Sequence, residues 1–573
     1  MEMKTLIAQI VDEAVRAAYP GVDAGINYEA LLEVPPDSKL GDFAFPCFKL
    51  SKALRMGPPM IAQKLAAAID RPEVCTAQPV NGYLNFFLNR GNFAKDTLQK
   101  VMAAPERWGS GNEGEGKTVV LDYSSINIAK RFHIGHLSTT MIGNSLCRIY
   151  GFLGWNTVSV NHLGDWGTQF GKMICAYKKW GNKEEVEKGG VDAMTALYVR
   201  FHEEAEKDPG LENEGRAWFK KIEDGDPEAL EIFNWFKDVT LKDASRVYKK
   251  LGVQFDYYTG ESFYHDKTDR VVNELKEKGL LTESDGAQVV DLSDDNMPPC
   301  LILKRDGSTL YPTRDIAAAV YRMDTYHFDK CIYVTSAGQS LHFAQWFKVV
   351  ELMGYDWYDR LVHVPYGTVS IDGAKLATRT GNVGLLKDLF ATAIEKARAI
   401  IEEKNPTLEN KDEVAKQVGV GAVVFNELSN NRIKDYVFSW DKVLDFNGET
   451  GPYVQYTYAR SASILRNAGE EAVSKARGTI NPSYITGESA YALAKLVYKL
   501  PEVVIEAGEK YEPSIVTRHI VDIAQAFNRF YHDEHILVDN EEERSAKLAL
   551  VIAAKTAIKN GLALLGMEAP ERM

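Results

Sequence analysis

The chain has 573 residues, 45% of them hydrophobic and 26% charged, with a formal net charge of −13. That balance fits a globular protein of several domains and argues against a generally basic nucleic-acid coat, although a local positive groove would still admit RNA. Cys47, Cys75, Cys147, Cys175, Cys300 and Cys331 form no CxxC pair, which points to reduced, mostly buried thiols and away from a zinc site or a disulfide frame.

In chain order, residues 1–19 read as an amphipathic helix carrying Asp12 and Glu13, not as a signal peptide, and no apolar run is long enough to cross a bilayer. A loop at residues 35–37, a helix from Ser51, a break at Gly57-Pro58-Pro59 and a helix over 60–69 come next. Residues 82–89 read as a strand in which Phe86 and Phe87 are core or RNA-stacking aromatics. A glycine- and charge-rich linker covers 108–116, after which strand and helix patterns alternate, the signature of a parallel sheet covered by helices.

Val119, Val120, Leu121 and Tyr123 suit a buried strand, and Ser124, Ser125 and Asn127 break it and are suited to cap the next element. A helix opens at His133-Ile134-Gly135-His136, with Ile134, Leu137, Met141, Ile142 and Leu146 on its apolar face. The β-branched run 157–160 completes a βαβ unit, so His133 and the loop His162-Leu163-Gly164-Asp165 fall at the carboxyl ends of neighbouring strands, where such sheets bind ligands. Residues 178–251 are helical in pattern and rich in Lys and Glu, an insertion between two halves of the nucleotide fold; beyond Lys387 the chain reads as all-helical.

A helix N-terminus attracts phosphate, and imidazoles at 133 and 136 share one face and can donate to phosphate oxygens. Gly135 leaves room for a flat base, and Lys130 adds a mobile positive charge. Further on, Tyr311 and Asp315 stand at i and i+4, so a phenol and a carboxylate on one helix face could grip a cation; Asp315 could equally pair with Arg314. A guanidinium suits such a site because it pairs bidentately with carboxylate. Residues 371–389 carry Lys375, Thr378, Arg379 and Gly381-Asn382, by themselves no more than a surface turn.

SSINIAKRFHIGH resembles the HIGH signature of class I aminoacyl-tRNA synthetases in the form used by arginyl-tRNA synthetases, and the resemblance runs, with gaps, over almost the whole chain. Ile126 stands where that family usually carries proline. Residues 371–389 resemble the family's KMSKS loop, with Leu376, Ala377 and Thr380 in place of the methionine, the serine and the later lysine. The resemblance implies that Lys130, just ahead of HIGH, compensates for that lysine.

It further implies an α/β Rossmann-like catalytic core with a helical insertion (113–400), an α+β N-terminal tRNA-binding domain (1–112) and an all-α anticodon-binding domain (401–573). The implied reaction is ATP-dependent attachment of L-arginine to its tRNA through arginyl-adenylate, with Mg²⁺ accompanying ATP and no dedicated protein metal site. Carried over residue by residue, the catalytic set is Lys130, His133, Gly135, His136, Lys375 and Arg379, and the substrate-binding set is Asp122, Ser124, Asn127, Glu261, Tyr311, Asp315 and Gln339. Both sets are expected to converge on one cavity of a cytoplasmic monomer that binds arginine-specific tRNA and no membrane. Two competing readings are another class I synthetase or HxGH nucleotidyltransferase, told apart by pyrophosphate exchange across the amino acids, and a non-catalytic tRNA-binding relative, told apart by tRNA binding without charging.

Overall fold

The structure, a computed structural model, describes residues 2–22, 25–371 and 384–573, and the chain divides into two compact units. The first gathers Met1–Pro105, Leu465–Tyr498 and Ala526–Ala554. Its three-stranded antiparallel sheet has the order β1-β3-β2, with β1 Phe43–Pro46, β2 Cys75–Val80 and β3 Tyr83–Leu88. Ile7, Val11, Phe45, Leu65, Leu84 and Phe86 are completely buried, so Phe86 is core.

The second unit gathers Glu106–Ile464, Lys499–Gln525 and Lys555–Met573. Strands β4 Thr118–Asp122 and β5 Asn156–Val160 come first in sequence. An antiparallel meander comes after them: β6 Leu281–Ser284, β7 Ala287–Val290 and β8 Cys300–Leu303. Then come β9 Lys330–Ser336, β10 Leu361–Tyr366, β11 Val369–Ile371 and β12 Tyr436–Phe438. The central sheet is entirely parallel with the order β10-β9-β4-β5. The chain leaves β4 for β5 on one side and returns to β9 on the other, so the strand order reverses at β4, the position where open α/β sheets bind ligands.

Val119, Val120 and Leu121 are fully buried, as a parallel strand covered on both faces requires. The helix Gly135–Phe152 packs against β4, β5 and β9. Its Gly143 is obligatory: a Cβ there would lie 2.1 Å from Tyr123 Cγ. Val120, Val160, Cys331 and Tyr333 share one core cluster with Ile316 and Val320 of the helix Tyr311–Tyr326 and with Trp346 and Val349 of the helix Ser340–Leu352. The insertion is helical, as its charge pattern indicates, with helices Thr168–Trp180, Lys183–Lys207, Gly210–Glu223 and Pro227–Leu251.

Several sequence expectations shift. The HIGH helix begins at Gly135, not at His133, and its first residue has no side-chain cap; Ser124 is instead buried inside the loop. The β6–β8 meander carries no strong periodicity, yet its Asp285-Gly286 turn, with φ of 49° and 79°, is the Asp-Gly hairpin signal. β11 pairs in parallel with β12, a short sheet in a stretch that otherwise reads as helix.

One buried ion pair ties these parts together. Arg322 Nη2, on a side chain with no exposure, lies 2.8 Å from Asp122 Oδ2 at the end of β4. The guanidinium also lies 5.4 Å from the centre of the Tyr333 ring. Removing one partner of such a pair leaves a buried, uncompensated charge, which costs about 3–5 kcal/mol. Arg322→Met, close in volume, should therefore lower the urea midpoint of the transition that unfolds this unit, followed by tryptophan fluorescence. A midpoint equal to the native one would show that Asp122 finds another counter-charge.

Candidate active site

The site is built on the connection from β4 to the HIGH helix. Ser124, Ser125 and Ala129 take φ of 71°, 44° and 59°, left-handed conformations that cost about 1–3 kcal/mol each in non-glycine residues. Hydrogen bonds from neighbouring helices hold Ser124 and Ala129, and Ser125 Oγ donates to Asp122. Ser124 N–H donates to Thr139 Oγ1 (3.0 Å), Thr140 Oγ1 donates to Ser124 Oγ (2.8 Å), and Ala129 N–H donates to Thr240 Oγ1 (3.1 Å). Tyr248, on the insertion helix Pro227–Leu251, meets Ser124 Oγ at 2.7 Å and accepts from Asn161 Nδ2 at 2.9 Å.

The imidazoles are oriented by the backbone. Gly135 N–H donates to His133 Nδ1 (3.1 Å), and His133 N–H donates to His136 Nδ1 (3.3 Å). With Nδ1 accepting, each neutral ring carries its proton on Nε2 and offers an N–H donor. The rings lie 4.1 Å apart. Burial, then the Lys130 charge, lowers the His133 pKa; burial, then His133, lowers that of His136 to about 3. A Cβ at Gly135 would meet His133 Cε1 at 2.8 Å, so glycine here also makes room for the His133 ring. Lys130 is exposed, and among the described residues no ion pair engages it. Its neighbour Arg131 is held by Asp192 at 2.8 Å, and Asp192 also pairs with Lys387 at 2.7 Å.

Lys375 and Arg379 lie outside the described residues, as does the rest of 372–383. The chain after them meets the HIGH segment directly. Ile134 N–H donates to Gly384 O (2.9 Å), Leu386 N–H donates to Phe132 O (3.1 Å), and His133 bridges Leu385.

A second group of residues is linked to this loop through backbone. Asn127 bridges Gly164, where a Cβ would meet Asn127 Oδ1 at 2.3 Å. Glu261 N–H donates to Leu163 O (3.0 Å), and Asp165, fully buried and paired with Lys237 at 2.8 Å, accepts from Ser262 N–H at 2.8 Å. Burial raises Glu261 to about 7, opposed by Arg314 and reinforced by Asp315 and Asp165. Asp315 therefore stands close to Glu261, but its direct partner is His342 Nε2 at 2.6 Å, not Arg314. The Arg314 guanidinium instead lies over the exposed Tyr311 ring, 4.9 Å from its centre. Gln339 is exposed, just past the end of β9. Asp122 is engaged by Arg322 and by Ser125 Oγ (3.0 Å), with His162 Nδ1 at 4.0 Å.

A cavity of about 910 Å³ is lined by Asn127, Lys130, Phe132, His136 and residues of the helical insertion, among them Asp192 and Trp235. Glu261, Tyr311, Asp315 and Gln339 do not line it, and the Asn127–Gly164 contact links the two stretches of chain. Sequence reasoning passes over Arg322, His342 and Asp192. His342 lies three residues after Gln339 in the same stretch; Arg322 and Asp192 carry no motif.

Chemically, the arrangement offers two neutral N–H donors at a helix N-terminus and the Lys130 ammonium just ahead of it, suited to a polyphosphate, and two neighbouring carboxyl groups suited to a cation. The burial of His136 also makes stability depend on pH. Because its folded-state value lies far below the ordinary 6.5, its contribution is complete above that value and is lost as pH falls from 6.5 towards about 3. Nitrogen-15 spectra of the free protein should show His136 as the neutral Nε2–H tautomer from about pH 5 to pH 8; a titration centred near 6.5 would contradict the burial and the backbone hydrogen bond.

A family model described as class I (R) tRNA synthetases, catalytic domain, matches residues 97–440. The arginyl tRNA synthetase N terminal domain matches 1–88, and the DALR anticodon binding domain matches 454–573. A protein of Alkaliphilus metalliredigens named arginine–tRNA ligase is 54% identical over 544 residues, 95% of each chain. One of the same name from Clostridium perfringens is 49% identical over the full length of both. Among solved structures, the chain is similar to the arginyl-tRNA synthetase of Thermus thermophilus, with a TM-score of 0.81, 26% identity and full coverage of both chains.

Proposed function

The chain belongs to the arginyl-tRNA synthetase family, and on that premise we propose a division of labour among its site residues. The enzyme uses ATP to attach L-arginine to tRNA through an arginyl-adenylate intermediate. In the first step an arginine carboxylate oxygen attacks the α-phosphorus in line, and the bond to the bridging oxygen breaks, releasing pyrophosphate. In the second, the 2′-hydroxyl of the terminal adenosine attacks the activated carbonyl and AMP leaves.

The His133 and His136 Nε2–H groups donate to phosphate oxygens on which charge builds, already oriented by their backbone partners. Neutral donors suit this role because they need no proton transfer to act. Lys130 neutralises the leaving pyrophosphate together with Lys375 and Arg379, which lie outside the described residues. Gly135 gives the His133 ring its place. Glu261 and Asp315 receive the guanidinium, Tyr311 flanks it, and Asp122, Ser124, Asn127 and Gln339 complete the arginine side. Mg²⁺ accompanies ATP and supplies charge neutralisation on the phosphates.

The separation of charge along one sheet edge carries this reading: imidazole donors and the Lys130 ammonium come after β4, and adjacent carboxyl groups lie beside the next strand's loop. Residues 1–112 would bind tRNA, 113–400 carry the chemistry and 401–573 read the anticodon. Six free cysteines, five of them buried, support a reducing, cytoplasmic setting, and the oligomeric state proposed is a monomer.

Charging of total tRNA with each amino acid in turn tests the activity: arginine alone should be attached, and transfer of another amino acid would redirect the assignment. Lys130→Ala should slow single-turnover adenylate formation about 100-fold or more. An unchanged rate would remove Lys130 from the pyrophosphate side.

A further inference from the structure

The Asp315 carboxylate is not a free acceptor. His342 Nε2 lies 2.6 Å from its Oδ2, with both side chains about one-quarter exposed (26% each). Among the described residues no other side chain or backbone group is hydrogen-bonded to that carboxylate. His342 is itself delivered by rigid structure. It sits in the first turn of the helix Ser340–Leu352, next to Phe343, a core residue of the sheet's covered face. The Phe343 ring stacks on His363 at 4.4 Å and 8°, and His363 Nε2 lies 2.8 Å from Thr335 Oγ1 of β9. Asp315 comes from a different helix, anchored by Arg322 to β4. The His342–Asp315 contact therefore joins two independently fixed elements.

A carboxylate that turns freely accepts an ammonium as readily as a guanidinium. One that is pinned through a single oxygen presents the other at a set angle, which suits a planar fork of N–H donors and not a point charge. Glu261, which faces Arg314, Asp315 and Asp165, offers the second acceptor. We propose that His342 is a positioning residue for amino-acid recognition: donating Nε2–H to Asp315 Oδ2, it fixes Asp315 so that Oδ1 and Glu261 together select a guanidinium over an ammonium. This rests on the assignment of Asp315 to the arginine side chain.

The test is pyrophosphate exchange by the full-length enzyme with tRNA present, varying arginine, ATP and, as competitor, lysine. His342→Leu removes the donor. It should raise the arginine KM about 10-fold or more, as the loss of a hydrogen bond to a charged group does, with the ATP KM unchanged and lysine a relatively stronger inhibitor. His342→Gln, whose amide N–H reaches the same oxygen, should recover most of the arginine KM. Asp315→Ala should raise it further than either. A native arginine KM in His342→Leu overturns the inference while leaving Asp315 in place if Asp315→Ala still impairs arginine. So does an equal rise in the ATP KM, or a His342→Gln variant no better than His342→Leu. An unaltered arginine KM in Asp315→Ala overturns the underlying assignment and this inference with it.

Discussion

The buried pair between Asp122 and Arg322 is the constraint on which the site depends. Asp122 is the last residue of the central strand, and Arg322 belongs to the helix that carries Tyr311 and Asp315. An isolated charge in that position would be costly, so the strand end and the helix are held at one spacing. The same carboxylate accepts from Ser125, and so also fixes the start of the loop that leads to His133 and His136. The cationic and acidic sides of the site thus take their positions from a single residue.

The loop itself is strained, and the strain is held from outside. Of three left-handed residues within six positions, Ser124 and Ala129 are bonded to Thr139, Thr140, Thr240 and Tyr248, and Ser125 is bonded to Asp122; without these bonds the loop would relax. Two of those partners come from the helical insertion, which therefore supports the loop as well as lining the cavity beside it. The result is a set of donors whose orientation is settled before any ligand arrives, the condition under which electrostatic stabilisation is most effective. The lowered pKa values of both imidazoles express the same fact: burial and a neighbouring ammonium favour the neutral donor over the cation.

Much of this is legible in the sequence because the signals are local. The valine-rich β4, the HIGH helix and the insertion helices arise from periodicity, and Tyr311 and Asp315 share a helix as their spacing indicates. The features that escape sequence reading are non-local. Arg322 lies 200 positions from Asp122 (322 − 122 = 200), and nothing in its own helix marks it as a buried ion. Gly135 reads as space for a ligand, and the space it leaves for the His133 ring is a packing fact that no motif encodes. Asp315 reads as a substrate carboxylate or as a partner of Arg314, and its actual partner His342 escapes because it comes from another helix. The Asp-Gly hairpin between β6 and β7 has a readable turn, but its flanking strands are only four residues each, too short for a clear alternation.

The central claim is that one ion pair sets the distance between the phosphate side and the guanidinium side. Calorimetric binding of a non-hydrolysable arginyl-adenylate analogue, compared with arginine and ATP separately, measures that distance as an affinity. The native enzyme should bind the joined analogue about 100-fold or more tighter than either half. Arg322→Lys, which keeps the charge but not the geometry, should lose most of that advantage while still binding each half. A Lys variant that keeps the full advantage would show that the two sides are aligned by something other than the Asp122–Arg322 pair.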